Sequence, residues 1–186
     1  MSFDEKYMRR ALQLAALGEA HAAPNPMVGA VIVAPDGRII GEGWHRRCGE
    51  GHAEVNAIAS VADRDALRTA TMYVTLEPCS HWGRTPPCVR LIIDCGIPRV
   101  AVAATDPFPA VSGRGIAMLR EAGVEVLTGM LAEDSLSLNA RFITAHTRQR
   151  PFTMLKWAQS ADGYLDRRRA DGAPAARIST PLTQLL

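Results

Sequence analysis

The sequence is short of lysine, of aromatic residues and of net charge, and each shortage excludes something. Lys6 and Lys156 are the only lysines among 21 basic residues, and against 19 acids the net charge is +2. There is no polybasic tail, and neither a nucleic-acid face nor a membrane-surface face is indicated. Aromatics make up 5% of the chain, too few for a base-stacking platform. No apolar run reaches the roughly 18–20 residues of a membrane span. The opening MSFDEKYMRRALQLAALG puts two acids ahead of its apolar stretch, unlike a secretory leader. A cytoplasmic protein is expected. In that setting four cysteines (48, 79, 88 and 95) interspersed with histidine point to metal or catalysis before disulfides.

What is present suits one packed domain. The chain has 186 residues, 47% of them apolar, enough for a sizeable core. A capping box at Ser2 and Glu5 and an apolar stripe (Phe3, Tyr7, Met8, Ala11, Leu14, Ala15) predict an opening helix that stops near Gly18. Two prolines make residues 22–26 a loop. Strands are predicted at 28–33 and 39–44 as a hairpin around Pro35-Asp36-Gly37, then at 71–76, 99–104 and 124–127. Helices are predicted at 52–62, 89–95 with Pro87 at the first helical position, 115–122 and 134–143. This alternation predicts an α/β fold, a three-layer α/β/α sandwich around a mixed sheet. Composition shifts near residue 145. Residues 146–150 read as a polar linker and 152–158 as a strand-like run. The last stretch is too small for a core of its own. The expected division is 1–145 and 146–186.

Three segments carry chemistry: Gly51-His52-Ala53-Glu54, Glu77-Pro78-Cys79 and Pro86-Pro87-Cys88. One histidine and two cysteines with a carboxylate beside them are the ligand set of a catalytic zinc site, whose open fourth position takes water. His52 and Glu54 fit H-x-E, and Pro78-Cys79 fits the start of P-C-x-x-C, the signature of zinc deaminases, in which the glutamate shuttles protons. The second cysteine, Cys88, comes nine residues after the first. In the first turn of a helix, its thiolate is favoured by the helix dipole. Two thiolates and one neutral imidazole cancel the charge of zinc, so the water needs a proton acceptor close by, a role for Glu54. The alternative is a closed structural site with His81 or Cys48 as fourth ligand. Otherwise Cys48 and Cys95 read as buried thiols.

These motifs resemble the deaminase domain of the bifunctional riboflavin-biosynthesis deaminase–reductases. The resemblance runs over about residues 3–145. It rests on Pro24-Asn25-Pro26-Met27-Val28-Gly29, Gly43-Trp44-His45, Gly51-His52-Ala53-Glu54 and, most specifically, the run from Leu76 to Cys88 that contains Ser80-His81-Trp82-Gly83-Arg84-Thr85-Pro86-Pro87. That long insert is unlike the short C-x-x-C of cytidine and tRNA-adenosine deaminases. The resemblance implies a cytidine-deaminase-like fold and one zinc ion held by His52, Cys79 and Cys88, with Glu54 as catalytic proton shuttle. It implies hydrolytic deamination of 2,5-diamino-6-(5-phosphoribosylamino)pyrimidin-4(3H)-one to 5-amino-6-(5-phosphoribosylamino)uracil and ammonia, an early step of riboflavin biosynthesis. Asn25, His45, His81, Arg84, Thr85 and Asp106 fall where family members line the substrate pocket. The partner is then a small phosphoribosyl pyrimidine, with no nucleic acid and no membrane; self-association into a homo-oligomer stays open.

Residues 150–163 resemble the opening strand of the family's reductase domain. The remaining residues, to 186, supply no sheet and helix N-terminus for a dinucleotide, so NADPH is not expected to bind this chain. Two other readings stand beside the leading one: a deaminase of nucleosides or nucleic-acid bases, and a non-catalytic zinc module that partners a separate reductase. The clearest departure from the family lies at Asp106-Pro107-Phe108-Pro109, where relatives commonly have Asp-Pro-Asn-Pro. A phenylalanine offers no side-chain hydrogen bond, and one such bond contributes about 0.5–1.5 kcal/mol. Phe108→Asn is therefore expected to lower KM for the pyrimidine several-fold with kcat nearly unchanged. Steady-state kinetics check this; an unchanged or raised KM refutes it.

Overall fold

In the computed structural model the described residues are 3–82, 86–107, 112–166, 168 and 171–174. The chain divides into two compact units, Met1–Phe152 and Thr153–Leu186. Among the described residues no helix is long and apolar enough to cross a membrane.

The first unit begins with helix α1 (Glu5–Ala16), capped by Asp4, whose side chain accepts from the Lys6 amide. Ser2, half of the expected capping box, lies outside the described residues. The predicted apolar stripe of α1 is buried at Tyr7, Met8, Ala11, Leu14 and Ala15. Strands β1 (Gly29–Val33) and β2 (Ile39–Trp44) form the expected hairpin. Helix α2 (Ala53–Ser60), strand β3 (Thr71–Leu76), helix α3 (Cys88–Asp94), strand β4 (Arg99–Ala104), helix α4 (Arg114–Glu121) and strand β5 (Glu125–Thr128) come next in the chain. A 3₁₀ segment at Arg64–Thr69, which no sequence pattern announces, leads into β3.

The sheet order is β2-β1-β3-β4-β5. β1 runs antiparallel to both β2 and β3, whereas β3, β4 and β5 are parallel. Every residue of β1 and β3 is buried, which requires cover on both faces. The period-two alternation sorts the side chains. Ala30, Ile32, Met72, Val74, Val100 and Val102 pack with Ala57, Ile58, Val89, Ile92, Ile116 and Leu119 of α2, α3 and α4. Val31, Val33, Tyr73, Ala101 and Ala103 face the other way, toward Met8, Ala11 and Leu14 of α1. The result is the mixed-sheet α/β/α sandwich.

The C-terminal part of the unit differs from expectation. The predicted helix 134–143 is two helices, α5 (Ala132–Leu138) and α6 (Ala140–Arg148). They part at Asn139, whose side chain accepts from the Met27 amide at 2.7 Å and donates to the Met27 carbonyl at 2.9 Å. This two-point clamp fixes the loop before β1. The expected linker at 146–150 is largely helix: its polar residues are the solvent-facing last turn of α6. The predicted strand 152–158 does not form. Its apolar side chains Phe152, Met154, Leu155 and Trp157 are exposed, and a strand without a paired neighbour is not stable. The second unit carries a turn in which the Ser160 amide donates to the Tyr164 carbonyl and Gly163 to that of Ser160.

Helix α2 lies unusually close to β2. A Cβ on Gly43 would lie 2.2 Å from the Ala57 nitrogen and 2.6 Å from the Ala53 carbonyl oxygen. Only glycine permits this approach. Gly43→Ala is expected to cost about 1–3 kcal/mol as overpacking, seen as a melting midpoint several degrees lower. Because α2 begins at the predicted site, bound metal should fall as well.

Candidate metal centre and active-site cavity

The start of α2, the end of β3 and the start of α3 meet at one place. His52 is the N-cap of α2, one residue earlier than a first-turn position, with extended backbone. The loop before it is held by Asn56, whose amide donates to the carbonyls of Trp44 at 2.8 Å and Gly51 at 3.0 Å. Pro87 takes the N-cap of α3 rather than its first helical position, which leaves Cys88 as the first helical residue.

His52 Nδ1 lies 3.6 Å from Cys79 Sγ and 3.4 Å from Cys88 Sγ. Among the described residues this trio is the one His/Cys/Asp/Glu group found with the spacing to hold a metal ion, its ligand atoms all within 4.8 Å of one another. The spacing can be tested against zinc. Bond lengths of about 2.3 Å to sulfur and 2.0–2.1 Å to nitrogen at a tetrahedral angle put sulfur and nitrogen about 3.6 Å apart. The trio fits. His81 and Cys48 line the adjoining cavity but stand outside the cluster, so the closed four-ligand alternative finds no support. Cys48 is exposed, not the buried thiol expected; it sits in a loop after β2 that offers no apolar cover.

The electrostatics derive from burial. The Cys79 thiol is pulled down to about 4, chiefly by the hydrogen bond from Cys88 and then by His52; the Cys88 amide also donates to its sulfur at 3.3 Å. Cys88 is pushed up by that same partnership and by its burial. The two thiols are thus tightly linked, each acting on the ionisation of the other. Glu54, only 3% exposed, is pushed up to about 7 by burial and by the charge on Cys79, with His52 opposing. A carboxyl so placed, buried beside the ligand trio, is positioned to exchange a proton with a group in the cavity.

His52, Glu54 and Cys79 border a cavity of about 500 Å³ that also takes in Asn25, His45, His81, Glu77 and Asp106. His45 is buried; its Nδ1 is 3.2 Å from the Gly51 carbonyl and its Nε2 3.1 Å from Asn25 Nδ2. A carbonyl only accepts and an amide nitrogen only donates, so Nδ1 carries the proton and Nε2 is the acceptor. Burial lowers the His45 pKa and favours this neutral form. Asp106 comes just after β4 and is largely buried, while His81 is exposed at the rim. Arg84, Thr85 and Phe108 lie outside the described residues. Phe142 and His146 of α6 also line the cavity, their ring centroids 4.1 Å apart. Sequence reasoning misses both, because their segment reads as the end of a helix and a linker. It takes Glu77 only as part of a motif.

A buried carboxylate beside a His–Cys–Cys trio at the carboxyl ends of parallel strands defines a class, the zinc-dependent deaminases built on the cytidine deaminase fold. Residues 1–104 match the cytidine and deoxycytidylate deaminase zinc-binding region. The riboflavin biosynthesis protein RibD of Aquifex aeolicus is 49% identical over 162 residues, 87% of this chain and 45% of that protein. The diaminohydroxyphosphoribosylamino-pyrimidine deaminase of Buchnera aphidicola is 45% identical over 139 residues, 75% of this chain and 92% of that protein. The crystal structure of a Thermotoga maritima diaminohydroxyphosphoribosylaminopyrimidine deaminase/5-amino-6-(5-phosphoribosylamino)uracil reductase superimposes with a TM-score of 0.86 at 44% identity, over 97% of this chain and 51% of that one. The chain belongs to the diaminohydroxyphosphoribosylaminopyrimidine deaminase family. It spans less than half the length of the Aquifex RibD that it matches.

Replacing Cys79 or Cys88 by serine is expected to lower zinc affinity by more than the roughly 10–100-fold typical of a supporting residue. Metal content after gel filtration should fall from about one ion per chain toward zero. Cys48→Ser should keep its zinc; loss of metal there would revive the four-ligand site.

Proposed function

We propose that the chain is the zinc-dependent hydrolase that converts 2,5-diamino-6-(5-phosphoribosylamino)pyrimidin-4(3H)-one to 5-amino-6-(5-phosphoribosylamino)uracil and ammonia. The observation that carries this reading is the buried Glu54 beside a three-ligand metal site on the wall of a cavity about 500 Å³ in volume, large enough for a nucleotide-sized ligand. The relatives named for this reaction support the choice of substrate.

His52, Cys79 and Cys88 hold the metal. When bound, zinc supplies the Lewis acidity that makes water a nucleophile near neutral pH. Glu54 takes one proton of the water that attacks the carbon bearing the 2-amino group and passes it to the adjacent ring nitrogen, then carries the remaining hydroxyl proton to the departing nitrogen, leaving a carbonyl at that carbon. The carbon–nitrogen bond breaks, ammonia leaves, and Glu54 is ready for the next turnover. Burial serves the role, because a desolvated carboxyl holds a proton more readily than one in water. Asn25, oriented by its contact with His45, offers donor and acceptor atoms to a pyrimidine edge. His81 and Asp106 offer polar contacts at the rim, and Arg84 and Thr85 belong to the same substrate-binding set. With 146–148 in the last turn of α6, what remains of the reading of 146–186 is a first segment of a reductase domain after that helix, and it is supported by the Thermotoga relative, which is named for both activities and is matched over 51% of its length.

The test is ammonia release from this pyrimidine by metal-loaded protein. Glu54→Gln should keep its zinc, since all three ligands remain, and lose about a hundredfold or more in turnover. Full activity in that variant would remove Glu54 from the mechanism, and loss of zinc would make it a ligand.

A further inference from the structure

Between the carboxyl ends of β3 and β4 lies a buried carboxylate that the deamination chemistry does not use. Glu77 is 4% exposed. Its Oε2 accepts from the Asp106 amide at 3.3 Å and the Gly113 amide at 2.8 Å. Its Oε1 accepts from Gly115 at 2.8 Å and Ile116 at 3.3 Å. Part of this is a helix cap. Gly113, the N-cap of α4, makes no side-chain cap bond, so the first-turn N–H groups need an acceptor from elsewhere, and the positive end of the helix favours a charged one. The approach is close: a Cβ on Gly115 would lie 2.2 Å from the Pro78 carbonyl oxygen and 3.2 Å from Glu77 Oε1. The start of α4 therefore rests on the segment that leads into Cys79. A cap alone would not call for the bond to Asp106, which lies seven residues ahead of Gly113 on the cavity wall.

We infer that Glu77 is a positioning residue for substrate binding: it fixes Asp106 relative to the Cys79 metal ligand, so that the cavity is preformed. The inference rests on the proposed pyrimidine substrate. Glutamine is near-isosteric but has a single acceptor oxygen, so its NH₂ would face two of the four N–H donors. Either Asp106 and Gly113 or the first turn of α4 must then move.

In Glu77→Gln, zinc should stay at one per chain, KM should rise roughly three- to tenfold and kcat should change by less than about twofold, the signature of lost binding with intact chemistry. A merely structural role is separated by a double-mutant cycle. If Glu77 acts through Asp106, then in an Asp106→Ala background the same substitution should change KM by less than about 1.5-fold. Multiplicative effects overturn the inference. Release of no ammonia by the wild-type chain defeats the substrate reading instead. Amide hydrogen exchange then decides for Glu77: the Asp106 and Gly113 amides should be protected in the wild type and exchange at least about tenfold faster in Glu77→Gln, with those of Val100 and Val102 in β4 unchanged. If the variant does not fold, an unprotected Asp106 amide in the wild type is enough to overturn it.

Discussion

The parallel pairing of β3 and β4 is the constraint on which the rest of the site depends. Its register sets Leu76 beside Ala104, and the Glu77 amide adds one more bond to the Ala104 carbonyl at 2.9 Å. Both strands therefore end at the same level, and the chain leaving each enters the same space. One exit carries Cys79; the other carries Asp106. Parallel neighbours cannot be joined by a tight turn, so a helix must intervene, and that helix is α3, which begins with Cys88. The crossover that topology demands delivers the second sulfur. α2 then needs only to lie on the same sheet face, as the bare backbone of Gly43 allows, to bring His52 and Glu54 from the other direction.

Charge is concentrated where the core would least tolerate it. A carboxyl and two thiols share a dry corner, and each raises the cost of ionising the next. Without a cation, burial pushes the Cys88 thiol and the Glu54 carboxyl up, toward their protonated forms. A divalent cation reverses the balance, because it rewards deprotonation of both sulfurs at once. The affinity of the site and its acid–base chemistry are thus two readings of one local charge deficit.

Much of this is legible in the sequence for physical reasons. Strands β3 and β4 can be read to the residue because buried runs between turn signals leave little latitude, and β2 because the Pro35-Asp36-Gly37 turn fixes where it starts. The ligand trio is legible because metal chemistry restricts residue type. What escapes depends on contacts far apart in the chain. The break at Asn139 exists because its amide meets Met27, 112 residues away, and no local pattern reports that. The coupling of Cys79 to Cys88 depends on an approach of their sulfur atoms that spacing alone does not give. Glu77 looks like part of a motif because its partners, Gly113 to Ile116, lie beyond an entire strand and helix.

Helix α6 gives the boundary of the unit a different meaning. Composition changes near residue 145, yet Phe142 and His146, stacked one turn apart, form part of the cavity wall. The outer turn of this helix is polar because one side meets solvent, not because it is a tether. Amino-acid usage, compact folding and the enclosure around the metal centre therefore stop at three different places along the backbone. A fragment trimmed where the composition turns would keep every metal ligand and still lose a piece of the vessel in which the ligand is held.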